Sequence, residues 1–347
     1  MTDFTFKWNL EDLKNVTQNG LKVFSCFACG GGSTMGYKMS GYTVLGCNEI
    51  DPEMIKIYKN NHNPKYAFLE SISTFRLRDD LPEDLFDLDI LDGSPPCSSF
   101  SMAGSREKEW GEKKKFREGQ AEQVLDDLFF DFIKLGEKLK PKVIIAENVS
   151  GMLKGNAKGY TKEILKQFRE IGYEVQLFLL NGVSMGLPQR RKRVFFVARR
   201  KDLKLPKLFL NFMDKPIPLK VALSGVTSKG KDRTNSKNLK YWELCKPGES
   251  FSKYHPKGSL FNCHKLSPDK PANTITAHID GFFHWETMRE FSLEELCLIG
   301  SFPLDYKFKN DRIGGYQIGM SVPPLMMHRI SKEIDKQWFS TMKQCDK

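Results

Sequence analysis

The chain has 347 residues, of which 40% are hydrophobic and 28% charged, a composition typical of folded proteins that excludes collagen-like, disordered and disulfide-scaffold classes. At about 150 residues per domain, this length predicts two domains. The 54 Lys and Arg residues exceed the 43 Asp and Glu residues, for a formal net charge of +11, so a polyanionic partner is expected. We find no signal-peptide pattern and no run of about 18 apolar residues, which predicts an intracellular protein without a membrane anchor.

Residues 21–198 alternate between short apolar runs and helical patterns. Helical spacing recurs at Val124, Leu128, Phe132, Leu135 and Leu139, and again at Ile164, Leu165, Phe168 and Ile171. Strands are predicted over 21–27, 43–47, 88–91, 143–146, 174–180 and 194–198. This alternation predicts an α/β fold with a doubly wound, mostly parallel sheet.

Beyond residue 198 the pattern becomes irregular and rich in Pro, Gly, Ser and Lys. A helix is predicted over 292–299, because Ser292 and Glu295 form a capping-box pattern, and another over 323–337. We therefore predict domains at 1–198 and 199–288, with 289–347 returning to the first domain.

The positive charge is concentrated in residues 190–265, which carry a net charge of +15, whereas the rest of the chain sums to −4. Such clustering favours a phosphate-contacting surface over a lysine-rich face that serves solubility alone. The eight cysteines are expected to be reduced inside a cell. Cys26 and Cys29 form a CxxC pair, but no second close pair follows, so a zinc or redox site is disfavoured and no metal is expected.

The first predicted strand leads into three consecutive glycines, Gly30 to Gly32, and the second leads into Glu49. Glycines after a strand allow a ligand to approach the backbone, and an acid about twenty residues later can bind ribose hydroxyls. The sequence lacks the full G-x-G-x-x-G pattern. This favours a nucleoside-type cofactor over a dinucleotide, and a tight structural turn remains the alternative.

Three reactive groups follow the ends of later strands: Cys97 after two prolines, Glu147, and the run Gln189 to Arg193. The carboxyl ends of parallel strands lie at the edge of the sheet where such folds bind ligands. Strand alternation places Arg191 and Arg193 on one side, with Arg190 and Lys192 on the other. A thiolate, an acid and a guanidinium are therefore predicted at one rim.

The ordered motifs FACGGG, NEID, GSPPCSSFS, ENV, QRRKR and YQIGMSVPP resemble those of the cytosine-5 DNA methyltransferases of bacteria and phages. The resemblance implies a Rossmann-like S-adenosylmethionine-dependent methyltransferase fold for residues 1–198 and a smaller, irregular, mainly β target recognition domain over 199–288. It also implies S-adenosyl-L-methionine as cofactor and double-stranded DNA as substrate, with methylation at a specific sequence.

In this family pattern Cys97 would add to C6 of a flipped-out cytosine, Glu147 would hold N3 and the exocyclic amine, and Arg191 would hold the O2 side. The remaining members of the implied catalytic set are Pro96, Asn148, Gln189 and Arg193. The implied cofactor pocket contains Phe27, Ala28, Cys29, Gly30, Gly31, Gly32, Glu49, Ile50, Ser71, Ile72, Asp92, Pro95, Met320 and Ser321. The implied DNA contacts are Ser98, Ser99, Ser101, Arg190, Lys192, Thr274, Thr276 and Arg289, with the charged segment 103–120 closing over the DNA.

The chain departs from the family pattern mainly in the cofactor pocket. Ser25 and Ser71 stand where the family usually has Asp, and Cys29 replaces a glycine. Ser98 replaces the usual Gln and Met320 the usual Asn. We therefore expect a cofactor pocket with fewer polar anchors, in which Glu70 substitutes for the acid missing at position 71.

Two alternatives to the DNA enzyme are kept. One is a tRNA cytosine-5 methyltransferase of the same fold, although the Cys-Phe-Thr tripeptide of that branch is absent. The other is a catalytically silent DNA-binding or cofactor-sensing protein, which the intact Cys97 and Glu147 argue against. We expect a monomer in the cytoplasm of a bacterium or phage-infected host, associated with the nucleoid through DNA, with a cognate restriction endonuclease as a separately acting partner.

Overall fold

The computed structural model describes residues 4–96, 113–114, 123–124, 127–155 and 157–345. The chain forms two compact units. The sheet unit comprises Val16–Leu180, Lys192–Asn211 and Met327–Lys347, and the irregular unit comprises Met1–Asn15, Asn181–Arg191 and Phe212–Met326. These boundaries differ from the predicted ones, because the irregular unit also includes residues up to Asn15 and the segment Asn181–Arg191, and its last segment runs over Phe212–Met326.

The sheet unit is built on seven strands. They are β1 (Lys22–Cys26), β2 (Thr43–Glu49), β3 (Tyr66–Leu69), β4 (Ile90–Gly93), β5 (Val143–Val149), β6 (Tyr173–Asn181) and β7 (Lys192–Arg200). Their order in the sheet is β3-β2-β1-β4-β5-β7-β6. The pairs from β3 to β5 are parallel, whereas β7 runs antiparallel to β5. The predicted mostly parallel, doubly wound sheet is thus confirmed, with β3 as a four-residue edge strand that was not predicted.

Helices connect these strands and continue to the end of the chain. They are α1 (Gly32–Met39), α2 (Pro52–His62), α3 (Ile72–Phe75), α4 (Leu128–Leu139), α5 (Ala157–Glu170), α6 (Leu219–Ala222), α7 (Leu239–Leu244), α8 (Leu293–Gly300), α9 (Asp311–Met320), α10 (Pro324–Ile334) and α11 (Ser340–Cys345), with a π-helical segment at Asp335–Phe339. Shorter 3₁₀ turns lie at Leu10–Asn15, Glu83–Phe86, Ser150–Leu153, Gly182–Met185, Lys201–Leu203 and Phe251–Lys253. In the described parts of the chain, no helix is long and apolar enough to cross a bilayer.

The predicted helical stripes face the core, except that Val124 lies in the two-residue strand Gln123–Val124 before α4 and not in a helix. Leu128, Phe132 and Leu139 of α4 are at most 1% exposed and pack in one cluster with Ile164 and Phe168 of α5. The predicted capping box is also confirmed, because Ser292 accepts a hydrogen bond from the Glu295 amide and the Glu295 side chain accepts one from the Ser292 amide. Local sequence patterns therefore determine where these helices begin and which face they bury.

The irregular unit has little regular structure over residues 212–288. Its described strands there are β8 (His264–Lys265) and β9 (Phe282–Phe283), which pair in parallel, so the strand content is smaller than predicted. A small core of Cys245, Phe251, Phe283 and Met288 holds this region together. The Lys265 ammonium lies 3.7 Å from the centroid of the Trp242 ring, a cation–π contact that shields one of the many lysines from solvent.

Candidate active site

The loop between β1 and α1 has an unusual backbone. Phe27 and Cys29 have φ angles of 54° and 45°, and Gly31 has a φ of 72°. Side chains other than glycine rarely adopt such left-handed conformations, so two strained residues here indicate a functional constraint. A Cβ atom on Gly31 would lie 2.3 Å from Nε2 of His62. His62, at the end of α2, therefore packs against Gly31 of the glycine loop. No sequence motif predicted this contact.

Glu49 links this loop to the end of β2. The residue is 7% exposed, and its carboxylate accepts hydrogen bonds from the amides of Cys29 (2.7 Å), Ile50 (2.8 Å) and Asp51 (2.9 Å). Burial raises the pKa of Glu49, although these backbone hydrogen bonds oppose the shift. Because a carboxylate offers about four acceptor positions, about one position remains for a ligand hydroxyl.

The other predicted pocket residues beside β2 and β3 have mixed outcomes. The Ser71 hydroxyl caps α3 by accepting a hydrogen bond from the Thr74 amide at 3.1 Å. The Glu70 carboxylate is paired with Arg78 at 2.9 Å, so the geometry does not support its predicted substitution for the missing acid. Ile72 is buried, whereas Ile50 is partly exposed.

Asp92 is the last side-chain-bearing residue of β4 and is 2% exposed. Ser25 Oγ donates to its carboxylate at 2.9 Å and Tyr37 Oη donates at 3.1 Å. Burial raises the pKa of Asp92 to about 7, while hydrogen bonds from Ser25, Tyr37 and Ser33 oppose the shift. A carboxyl group with a pKa so near neutrality is typical of functional sites.

At the neighbouring strand ends an acid and a guanidinium meet. Glu147 Oε1 near the end of β5 lies 2.8 Å from Nε of Arg193, the second residue of the antiparallel β7. In the described part of the chain, Glu147 Oε1 is buried and accepts no directed hydrogen bond, so the carboxylate retains acceptor capacity. Asn148 donates from Nδ2 to the Pro95 carbonyl at 3.0 Å. The chain immediately before Cys97 is thereby tied to β5.

Cys97, Ser98, Ser99 and Ser101 lie outside the described residues, as does the predicted closing segment except for Lys113 and Lys114. Pro96 is described and is partly exposed. The described chain before position 97 is held beside Glu147, because Asn148 donates to the Pro95 carbonyl.

Arg191 has a different environment from the one predicted. It is 1% exposed, and its guanidinium donates to the carbonyls of Ile275 (2.9 Å), Gly319 (3.0 Å) and Ser321 (2.9 Å) within the irregular unit. The Arg191 guanidinium therefore links its own segment to the segments that contain Ile275 and Gly319–Ser321. This geometry does not support the predicted contact with the O2 side of the base, and Arg193 beside Glu147 is the better candidate for it.

Gln189, like Arg191, connects distant chain segments through hydrogen bonds to backbone groups. It is 1% exposed, donates to the Ile299 carbonyl at 3.2 Å and accepts from the Ile275 amide at 3.0 Å. These contacts favour a structural role over the predicted catalytic one. Of the two predicted cofactor residues at the end of α9, Met320 is 38% exposed and Ser321 is 4% exposed.

The described residues that were predicted to contact DNA fall into an exposed group and a partly buried group. Arg190 and Lys192 are exposed, as alternation predicted. The Thr274 hydroxyl donates to the Arg190 carbonyl at 2.6 Å, and the exposed Thr276 donates to the His278 carbonyl. Arg289 is held by two contacts of 2.8 Å to Glu295. Because this partly buried pair occupies the guanidinium beside the start of α8, the geometry does not support the DNA contact predicted for Arg289.

No group of three or more His, Cys, Asp or Glu side chains in the described parts of the chain has the arrangement of a metal site. Cys26 is a buried thiol and Cys29 a partly buried one, and neither forms a disulfide. Burial raises the pKa of Cys26 well above its ordinary value, with the nearby Asp92 charge adding to the effect. The Cys26 thiol is therefore a core residue.

The sheet order, the glycine loop after β1 and the acid after β2 define an α/β fold of the methyltransferase class. Solved structures with this fold include a prophage-encoded E. coli protein described as a DNA modification methyltransferase, with a TM-score of 0.70, 20% identity and coverage of 92% of this chain and 99% of that one. The S. pombe Dnmt2 methyltransferase matches with a TM-score of 0.63, 15% identity and coverage of 92% and 99%. At these identities the likeness concerns the fold.

The chain belongs to the C-5 cytosine-specific DNA methylase family, whose model matches residues 21–336. The type II methyltransferase M.Sau96I of Staphylococcus aureus is 31% identical over 350 residues, which cover 93% of this chain and 78% of that protein. M.NgoPII of Neisseria gonorrhoeae is 34% identical over 200 residues, or 56% of this chain. The matches to M.NgoPII and to M.FnuDI of Fusobacterium nucleatum span about half of those relatives, 53% and 48% of their lengths.

Proposed function

We propose that this protein is a sequence-specific DNA cytosine-5 methyltransferase that uses S-adenosylmethionine. The observation that carries the proposal is the Glu147–Arg193 ion pair at the edge of the sheet. The residue after Glu147, Asn148, is hydrogen-bonded to Pro95, two positions before Cys97 in the sequence. An acid with unused acceptor capacity beside a guanidinium suits a cytosine, because the base presents an N3 and amino edge next to a carbonyl oxygen.

The residues around the glycine loop fit the cofactor. Glu49 retains about one acceptor position for a ribose hydroxyl. Phe27 and Ile50 are partly exposed apolar side chains beside the same loop and can cover an adenine ring. The backbone of Ala28, Cys29, Gly30 and Gly32 would line the pocket. When bound, S-adenosylmethionine supplies an electrophilic methyl group.

The side chains divide the chemistry among them. The Cys97 thiolate adds to C6 of the cytosine, which makes C5 nucleophilic enough to accept the methyl group. Glu147 binds the exocyclic amine and shares a proton with N3 as the C6 adduct forms. Arg193 stabilises charge at O2 and orients Glu147. After C5 carries the methyl group it loses its proton to solvent, and elimination of Cys97 restores the thiolate and the aromatic ring.

DNA recognition is assigned to residues 199–288 as the target recognition domain, supported by the positive charge of 190–265. The exposed Arg190, Lys192 and Thr276 are the candidate contacts in the described residues, and Ser98, Ser99 and Ser101 are further candidates by resemblance. The target base must leave the duplex, at a cost of a few kcal/mol. We propose a monomer that acts inside the bacterial cell, with a cognate restriction endonuclease that acts separately.

Incubation with plasmid DNA and radiolabelled S-adenosylmethionine tests the proposal. We expect label in DNA, mapped to one cytosine of a short sequence by bisulfite sequencing. The Cys97→Ala variant should incorporate none while still binding DNA and cofactor. Methylation by Cys97→Ala would refute the mechanism, and an absence of label on any cytosine-containing DNA would refute the activity.

A tRNA cytosine-5 methyltransferase of the same fold is the second candidate. A parallel reaction with total tRNA separates the two. Label in tRNA but not in DNA would support this candidate. Cofactor and DNA binding without methyl transfer to either substrate would instead support a catalytically silent protein.

A further inference from the structure

A buried carboxyl group lies under the glycine loop, and the proposed chemistry does not use it. Asp92 at the end of β4 receives hydrogen bonds from Ser25 of β1 and from Tyr37 of α1. Ser33, one helical turn before Tyr37, also lowers the pKa of this carboxyl group. The carboxyl group thus joins the strand that enters the glycine loop to the first two turns of the helix that leaves it.

Ser25 and Asp92 are direct partners in the parallel pairing of β1 with β4. The family pattern places an acid at position 25, and here that position is a serine. Since adjacent strands lie about 4.8 Å apart, an acid at Asp92 can reach nearly the same space as an acid at position 25. At this level of the sheet the carboxylate lies on β4, and the Ser25 hydroxyl on β1 is its hydrogen-bond donor.

The groups around Asp92 bring its pKa close to neutral pH, so its charge changes there. Burial raises its pKa to about 7, and the Glu147 charge on β5 adds to the shift. Tyr37 on α1 and Cys26 on β1 also face Asp92, and the pKa values of both are raised well above their usual range by burial, so both are neutral at pH 7. No cation compensates Asp92 in the described residues around it, which leaves its charge available to a cationic ligand.

We propose that Asp92 takes over the role of the acid missing at position 25, and that its ionised form favours the cationic S-adenosylmethionine over S-adenosylhomocysteine. The two molecules differ by the charged sulfonium, so a nearby carboxylate discriminates between them. Asp92 acts as a positioning and charge-bearing residue under the loop. This inference depends on the proposed cofactor.

The proposal requires binding to be linked to protonation. Asp92 is mostly protonated at pH 6 and mostly ionised at pH 8, so the affinity for S-adenosylmethionine should fall as the pH drops from 8 to 6. Coupling of one pK unit corresponds to a change of about tenfold. The affinity for S-adenosylhomocysteine should change much less. Calorimetry at pH 7 in two buffers of different ionisation enthalpy should show proton release of up to about half a proton with S-adenosylmethionine.

Three variants separate a charge effect from a structural one. Asp92→Asn keeps the shape, and it should bind S-adenosylmethionine about tenfold more weakly at pH 8 without pH dependence. Ser25→Ala removes a hydrogen bond that favours the ionised carboxyl group, so it should shift the midpoint of the pH profile upward. The double variant Ser25→Asp with Asp92→Ser returns the acid to β1 and should recover most of the lost affinity.

Melting temperature supplies a second readout. Because folding raises the pKa of Asp92 from 3.8 to about 7, the fold loses stability as the pH rises from about 4 to about 7, and the loss is complete at pH 8. Asp92→Asn should therefore melt higher than the parent at pH 8 while binding S-adenosylmethionine more weakly. Equal losses for both ligands at every pH would mean a structural role and would overturn the proposal, as would an unchanged affinity and pH profile. If the parent protein bound neither ligand, the proposed cofactor itself would be wrong.

Discussion

Arginines 191 and 193 offer the sharpest test of the site, because the sequence predicts the same orientation for both and the structure separates them. We consider Arg→Lys at each position in turn. A lysine keeps the charge but replaces the planar fork with one ammonium group on a flexible stem. The two substitutions are thus chemically identical and differ in the contacts they remove.

At position 191 the fork makes three hydrogen bonds to carbonyls at 2.9, 3.0 and 2.9 Å. A lysine at this fully buried position can keep about one of them. Hydrogen bonds to charged groups contribute roughly 1.5 kcal/mol or more each, so losing two costs about 3 kcal/mol. Given that 1 kcal/mol shifts the melting temperature of a domain by about 2–4 °C, the irregular unit should melt about 10 °C lower.

At position 193 a lysine can still pair with Glu147, so the free energy of unfolding should change by no more than about 1 kcal/mol. The Arg193→Lys substitution should instead lower the rate of methyl transfer. Loss of a correctly placed donor at a charge-developing oxygen reduces kcat by about 100-fold. Urea denaturation and single-turnover methylation measure the two effects independently. The reverse result, with Arg191→Lys stable but slow and Arg193→Lys silent, would refute the assignment and restore Arg191 to the base.

Three further predictions concern capping, pH and salt. Ser292→Ala removes the α8 cap and should lower the free energy of unfolding by about 1 kcal/mol in urea titrations, and an unchanged midpoint would show that the cap is dispensable. Burial lowers the pKa of His62 to about 3, so the fold should lose stability as the pH falls from 6.5 toward 3, by about 3 kcal/mol at pH 4. His62→Gln should flatten this loss in acid-unfolding curves, and a curve with the same slope as the parent's would contradict the prediction. DNA affinity should fall at least about tenfold between 50 and 200 mM salt in a fluorescence titration, and a flat salt dependence would contradict the role of the 190–265 charge.

Local pattern was sufficient for the framework. A short apolar run predicted β5, spacing of three and four residues predicted the buried face of α4, and the Ser292 and Glu295 pair predicted the start of α8. Each of these follows from neighbours within about five positions, where backbone geometry determines which side chains meet. The same reasoning placed Glu147 at the carboxyl edge of the sheet.

Alternation also predicted the burial pattern of residues 190–193, with two exposed and two turned inward. It could not say what the inward-facing arginines meet. Arg191 meets carbonyls 84, 128 and 130 positions away, whereas Arg193 meets Glu147 through the antiparallel pairing of β7 with β5. Similarly, the sequence predicted a DNA contact for Arg289, whereas in the fold it forms a partly buried ion pair with Glu295.

The sequence by itself thus determined the class of fold, the order of the motifs and the residue types needed for cytosine chemistry. Tertiary structure decided which of those residues are available to a ligand. It also paired Ser25 with Asp92, which are 67 positions apart in the sequence but lie on adjacent strands. The physical reason is that periodicity reports the direction of a side chain, whereas hydrogen bonding, burial and a shifted pKa depend on the partner that folding brings to it.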